Sequence, residues 1–239
     1  MTDVLELPGA RAAFSTRAGG VSEGPYRSLN LGLMTDDEPA RVTVNRHRLA
    51  AELELAPEQV VMGRQVHGTD LEHWTGPSEN NAYGAPGGKE LPPVDGHLTD
   101  QAGLAALVLV ADCYPVALCD GARAAMLHCG WRPLAGGIIA KAVEAFDDRP
   151  PAAAVGPGIC GSCYEVGPEV IEHFADVPHA ADGRMLDLRA VIDARLAAAG
   201  VEDVQHVDRC TACEPDRYFS HRRDAGVTGR QAGLCVLTG

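Results

Sequence analysis

Apolar residues in this chain fall into short runs separated by glycine- and proline-rich turns. The most apolar run is LAALVLVA at 104–111; PVALCD and ARAAMLHCG follow it, joined through Asp120 and Gly121. Runs of this length bounded by turn residues predict buried strands. Further strands are expected at 12–16, in VVMGRQVHG with His67 at its end, in AAAVGPGIC, in VEDVQHVD and in the closing GLCVL, while VDGHLT reads as a turn. Helical spacing returns in ARVTVNRHRLAAEL, where Val42, Leu49 and Leu53 share a face and Pro39 suits the first turn. A short helix is expected at PEVIEHF, and an amphipathic one at LDLRAVIDARLAAAG, closed by Gly200. Strands in close succession predict an α+β fold with mixed or antiparallel sheets flanked by helices, in preference to a doubly wound sheet.

With 239 residues, 46% of them hydrophobic, the chain is expected to form one domain spanning residues 1–239. Two polar stretches interrupt the strands: AGGVSEGPYRSLNLG, a surface loop able to touch a ligand, and residues 76–93, a loop or flap. Lys and Arg total 20 against 33 Asp and Glu, a net charge of -13, which argues against nucleic-acid or anionic-membrane partners. A small anion held by local arginines stays compatible with that balance. The opening MTDVLELPGA is not a basic segment followed by an apolar core, and no apolar run is long enough to span a bilayer, so a soluble, cytoplasmic protein is expected. In that setting the eight cysteines are expected to be mostly free thiols.

Three compact polar motifs stand at the ends of apolar runs: GRQVHG with His67, ADCYP with Cys113 and AMLHCGW with His128. Two imidazoles and a thiolate suit a zinc site whose fourth position is left for water or substrate. The same residues admit other readings: buried structural side chains, a Cys113 nucleophile with His128 as its base, or a blue-copper site, which also wants a weak axial Met. No His-x-His pair is present for a multi-histidine copper cluster. Asp112, beside Cys113, is a candidate for orienting or for proton transfer. Arg46, Arg132, Arg222 and Arg223 are candidates for holding phosphate, against the alternative of solvated or ion-paired surface arginines. Gly136 and Gly137 near a helix start offer either an anion site or a turn. Cys160 with Cys163 and Cys210 with Cys213 form two C-x-x-C pairs that suit structural zinc if they meet in space, although their interval exceeds that of common zinc ribbons. Cys119, Cys129 and Cys235 read as core residues.

The motifs STRAGGVSEGPYRSLNLG, VNRHRL, RQVHG, VDGHLTD, ADCYPVAL, LHCGWR, GPGICGSCYEVG, LDLRAV and YFSHRRD span nearly the whole chain. In this order they resemble the laccase-domain, or polyphenol-oxidase-like, family. The resemblance implies a single-domain α+β fold, zinc held by His67, Cys113 and His128, and purine nucleoside phosphorylase activity on adenosine, inosine and methylthioadenosine with adenosine deamination. It also implies, for some bacterial members, a role in correcting peptidoglycan precursors. Where the family usually continues GWRG, this chain has GWRP, and Pro133 is expected to remove an amide donor and hold Arg132 extended.

Overall fold

The computed structural model describes residues 2–77, 83–84, 91–147 and 149–238. In chain order its elements are β1 (Thr2–Leu7), β2 (Ala10–Ser15), α1 (Pro39–Glu52), β3 (Val60–Val61), β4 (Leu71–Trp74), β5 (Gly96–Thr99), β6 (Ala105–Val110), β7 (Tyr114–Cys119) and β8 (Ala124–Cys129). They continue with α2 (Trp131–Ala135), α3 (Ile138–Val143), β9 (Ala152–Val155), α4 (Pro168–Ile171), β10 (Ala181–Asp182), β11 (Met185–Leu186), α5 (Leu188–Ala198), β12 (Val204–His206) and β13 (Gln231–Leu237).

Two mixed sheets dominate. One is ordered β1-β2-β13-β6-β3, the other β12-β9-β7-β8-β5-β4, and each combines antiparallel with parallel neighbours. Strand alternation explains their layering. In β7, Val116 and Leu118 face a core shared with the helices α2 to α5, while Ala117 and Cys119 face the other sheet. In β8 the same split puts Leu127 and Cys129 on the helical side and Ala124 and Met126 between the sheets. Both faces are covered, which is why these strands read as continuous apolar runs. The inter-sheet layer is thin because it is alanine-rich and glycine permits close approach: a Cβ on Gly233 would lie 2.3 Å from Pro115, and one on Gly156 2.3 Å from Phe14.

The outer face of the first sheet is covered by α1, whose buried stripe Val42, Asn45, Arg46, Leu49 and Ala50 has helical spacing. Asn45 and Arg46 therefore belong to the inward face, not a solvated one. Asn45 accepts from the Val21 amide at 2.8 Å and donates to Ser22 Oγ at 2.8 Å and Asn30 O at 2.9 Å, so the glycine-rich loop after β2 is tied to the helix.

Three local expectations change. VDGHLT is not a turn: its residues 96–99 form β5, pairing with β8 and β4, and its polar side chains are buried against Trp74, whose indole donates to His97 Nδ1 at 3.1 Å and whose carbonyl accepts from Thr99 Oγ1 at 2.9 Å. VVMGRQVHG is a strand only at Val60–Val61; beyond it the Gln65 side chain takes over, donating to Leu109 O at 2.7 Å and accepting the Leu109 amide at 2.8 Å. Arg132 is not extended, since Trp131–Ala135 is helical and Pro133 falls in its first turn, where amides have no intrahelical acceptor. The segment 76–93 falls largely on residues 78–82 and 85–90, outside the described residues; Tyr83 within it is buried.

Candidate functional site

The three single-residue motifs meet where the sheets end. Cys113 occupies the turn between β6 and β7, and His128 lies on β8 opposite Pro115, on the inter-sheet side with Ala124 and Met126. His67 follows the Gln65 anchor. One donor atom from each of His67, Cys113 and His128 lies within 4.8 Å of the others. The two rings stand edge to face, 4.8 Å between centroids.

Two of the carrying turns adopt left-handed backbone, with φ of 58° at His67 and 89° at Asp112. Such conformations persist in non-glycine residues where surrounding bonds enforce them. Asp112 is enforced by its own carboxylate: Oδ1 accepts from Thr211 Oγ1 at 2.7 Å and Oδ2 from the Arg222 amide at 2.7 Å. His67 is enforced by Asp95, whose Oδ2 accepts the amides of Val66 at 3.0 Å and Gly68 at 2.7 Å. The other oxygen of Asp95 accepts from His128 Nδ1 at 2.7 Å. A carboxylate only accepts here, so the proton sits on Nδ1 and leaves Nε2 for the cluster. One buried carboxylate thus positions both histidines. Sequence reasoning missed Asp95 by treating its segment as a turn; the available signal was an acidic residue next to a glycine and a histidine in VDGH.

Burial alone would push the Cys113 thiol up, but His128 and His67 beside it hold it down at about 6. Burial would likewise lower His128, yet its contacts with Cys113 and Asp95 raise it to about 9. Asp95 also sits below its ordinary value, since bonds from His128 and the Gly68 amide outweigh its desolvation. The sulfur therefore favours its thiolate form with positive charge beside it. Gly130 keeps the space open: a Cβ there would lie 2.9 Å from Cys113 Sγ and 3.4 Å from His67 Cδ2.

The cluster lines a cleft of about 750 Å³ shared with Arg46, Arg64, Arg132, Arg222 and Arg230. These arginines differ. Arg46 is buried and braces the wall, donating to Leu31 O at 2.9 Å and Tyr83 O at 3.2 Å, and desolvation lowers it to about 10. Arg132 is exposed over the Trp131 ring at 4.3 Å, and Arg222 lies over Tyr164 at 4.9 Å with a bond to Glu165 O. Arg230, which sequence reasoning overlooked in its strand-entry position, donates to Thr228 O at 3.0 Å and Gly229 O at 2.9 Å. Arg223 is not part of the cleft lining: Asp224 binds its guanidinium at 2.7 Å, and the carbonyls of Thr211 and Tyr218 take further donors. Gly136 and Gly137 are also outside the lining; Gly137, with φ of 86°, turns α2 into α3.

The sequence profile of the multi-copper polyphenol oxidoreductase laccase family matches residues 11–238. The chain belongs to that family. It is 39% identical to purine nucleoside phosphorylase YfiH of Shigella flexneri, over 96% of this chain and 94% of that one. It is 41% identical to purine nucleoside phosphorylase ORF3 of Streptomyces griseus, over 95% and 94%. Among solved structures, hypothetical protein YfiH of Bacillus licheniformis matches with a TM-score of 0.89 at 31% identity, covering 96% of this chain and 93% of that one. YlmD of Geobacillus stearothermophilus matches with a TM-score of 0.88 at 34% identity, covering 97% and 93%. The single-domain-sized α+β fold with mixed sheets is therefore that of known family structures, and the naming of the relatives supports an enzyme. The three donors of the cleft suit one metal ion. Among the described residues, His67 and His128 are the only histidines in either metal-competent cluster, too few for a multicopper centre. No helix among the described residues is long and apolar enough to cross a membrane.

Proposed function

We propose that this protein is a zinc-dependent purine nucleoside phosphorylase acting on adenosine, inosine and methylthioadenosine, with adenosine deaminase activity, in the cytoplasm. The observation that carries the reading is an open three-donor cluster and arginine side chains in one cleft, whose volume is in the range of small-molecule sites. His67 Nε2 or Nδ1, Cys113 Sγ and His128 Nε2 would hold the ion; two imidazoles and a thiolate leave one tetrahedral position for water or substrate. When bound, zinc supplies a polarised oxygen ligand and lowers the pKa of water toward neutrality.

The chain's own residues do the positioning. Arg132 and Arg222 sit on the cleft surface and present guanidinium groups to a phosphate dianion, placing one of its oxygens for attack at the ribose C1 while the C–N bond to the purine breaks. Arg46 is the brace behind that wall. Asp112 is a positioning residue: with both oxygens engaged it sets the direction of Cys113 and couples it to the Arg222 loop. Asp95 sets the tautomer of His128 and the turn of His67. For deamination the attack is by water at C6 of adenosine, with ammonia leaving.

A second reading is favoured by the same thiolate and imidazolium charges: Cys113 as nucleophile and His128 as base of a thiol hydrolase or amidase, including one that edits peptidoglycan precursors. Copper-dependent polyphenol oxidation is the remaining alternative and would give a coloured, oxygen-consuming protein. Adenosine incubated with the protein, with and without phosphate, separates these by mass spectrometry. Adenine and ribose 1-phosphate formed only with phosphate support phosphorolysis, and inosine without phosphate supports deamination. Absence of all three, with alkylation-sensitive and chelator-insensitive amide hydrolysis, favours the thiol reading.

A further inference from the structure

Outside the cleft a second set of thiols converges. Cys160 and Cys163 lie at the ends of a single 3₁₀ turn, with the Cys163 amide bonded to Cys160 O at 3.0 Å. Cys210 and Cys213 lie in a wider turn, closed by the Glu214 amide on Cys210 O at 3.1 Å. A parallel bridge between Gly158 and Cys210, and the Thr211 amide on Gly158 O at 3.0 Å, bring the two turns together. The four sulfurs lie within 4.8 Å of one another.

We infer that Cys160, Cys163, Cys210 and Cys213 form a closed four-thiolate site for a zinc ion, separate from the three-donor cluster in the cleft. Tetrahedral bonds of about 2.3 Å to each sulfur put the sulfurs about 3.8 Å apart. Here Cys213 Sγ lies 3.4 Å from Cys163 Sγ and 4.0 Å from Cys160 Sγ. One sulfur thus approaches two others at ligand-ligand separations, an arrangement shared among four thiols and not divided into two disulfide pairs. The Cys160 amide points at Cys210 Sγ at 3.3 Å, a donor that suits a metal-bound thiolate. All four cysteines are free, and all four are at least partly accessible, so a cation can enter. The ion displaces four thiol protons to solvent and involves no change of oxidation state.

This site would fix one wall of the cleft. The first turn is bracketed by Ile159 and Tyr164, which line the cleft, and the second contains Thr211, whose hydroxyl holds Asp112. Metal between the turns therefore fastens the strand-to-helix connection after β9 to the loop that leads into Arg222.

The deciding sample is Cys113→Ala protein, which lacks a cleft donor, stripped with chelator and reloaded with zinc under reductant. Elemental mass spectrometry should find about one zinc per chain, lost when Cys163→Ser and Cys213→Ser are added. Cobalt in its place should give the intense visible bands and sulfur-to-metal charge transfer of tetrahedral four-thiolate coordination. Absence of zinc from Cys113→Ala, zinc retained after both serine substitutions, or disulfides that persist under reductant would overturn the inference. If Cys113→Ala does not fold, His67→Ala carries the same count, because His67 is exposed and outside the core. Failure of nucleoside turnover would leave this count unaffected.

Discussion

Three donors converge in the cleft, His67 and Cys113 on turns and His128 near the end of β8; four converge between the 158–165 and 208–214 loops, on turns outside the long strands. The cleft cluster mixes imidazoles with one thiol, rests on a buried carboxylate, and faces a volume of about 750 Å³. The cysteine cluster is uniform and tied by backbone bonds. The difference teaches how the number of protein donors divides two kinds of metal chemistry: three leave a position for substrate, while four complete the tetrahedron and leave only a structural role. The polypeptide surrounding each cluster agrees with that division. Around the cleft, left-handed turns and Gly130 keep the three donor side chains close without filling the space between them.

The sharpest break in the comparison comes from removing one donor at a time. His67→Ala should lower adenosine turnover by about 10³-fold, equivalent to roughly 4 kcal/mol of activation free energy, whereas Cys213→Ser should leave zinc in the cleft. Equal losses of cleft metal from both variants, measured by elemental analysis, would erase the distinction between the clusters. Asp95→Asn should weaken cleft zinc by about 10- to 100-fold in competition with a chromogenic chelator, through misorientation of His128 and the 66–68 turn, without altering the four-thiolate signal. A change confined to folding stability would make Asp95 merely structural. Arg132→Ala should raise KM for phosphate about 10-fold, with a smaller change for nucleoside; equal changes in steady-state kinetics would assign it to Trp131 packing instead.

Stability gives the smaller contrasts. Cys163→Ser with Cys213→Ser should lower the unfolding midpoint by roughly 5–10 °C in zinc-loaded protein, and chelator should bring wild type toward the same value. Asp224 gives the smallest effect. Its carboxylate is held below its ordinary value because bonds from Arg223 and Thr228 outweigh desolvation. Such a group contributes stability above its unfolded pKa of about 4 and loses it as pH falls through the lower folded value. Asp224→Asn should therefore flatten the acid limb of stability by about 1 kcal/mol or less in denaturant titrations, since the pair is partly exposed.

Apolar strands and the long helices were legible because their signals are local. Residues 104–111 and 124–129 announce themselves by composition, and α1 and α5 by period. What escaped depends on partners distant in the chain. β5 is four residues containing a histidine and a threonine, and it becomes a strand because β4 and β8 offer edges and Trp74, distant in sequence, bonds His97 Nδ1 and Thr99 Oγ1. Asp95 gains its role from amides about thirty residues earlier and an imidazole about thirty later, a geometry that spacing cannot reveal. The meeting of the two C-x-x-C pairs follows from one bridge between Gly158 and Cys210. Pro133 was misread in the opposite way: its local preference was correctly stated, but the first turn of α2 accommodates it without losing a helix bond.

The most direct test combines metal content with product analysis in Cys113→Ala. Zinc-reconstituted protein should have lost the cleft equivalent and should release neither adenine with ribose 1-phosphate nor inosine from adenosine, while wild type in the same buffer does. Phosphate-dependent release of adenine by Cys113→Ala protein whose cleft holds no metal would contradict the account.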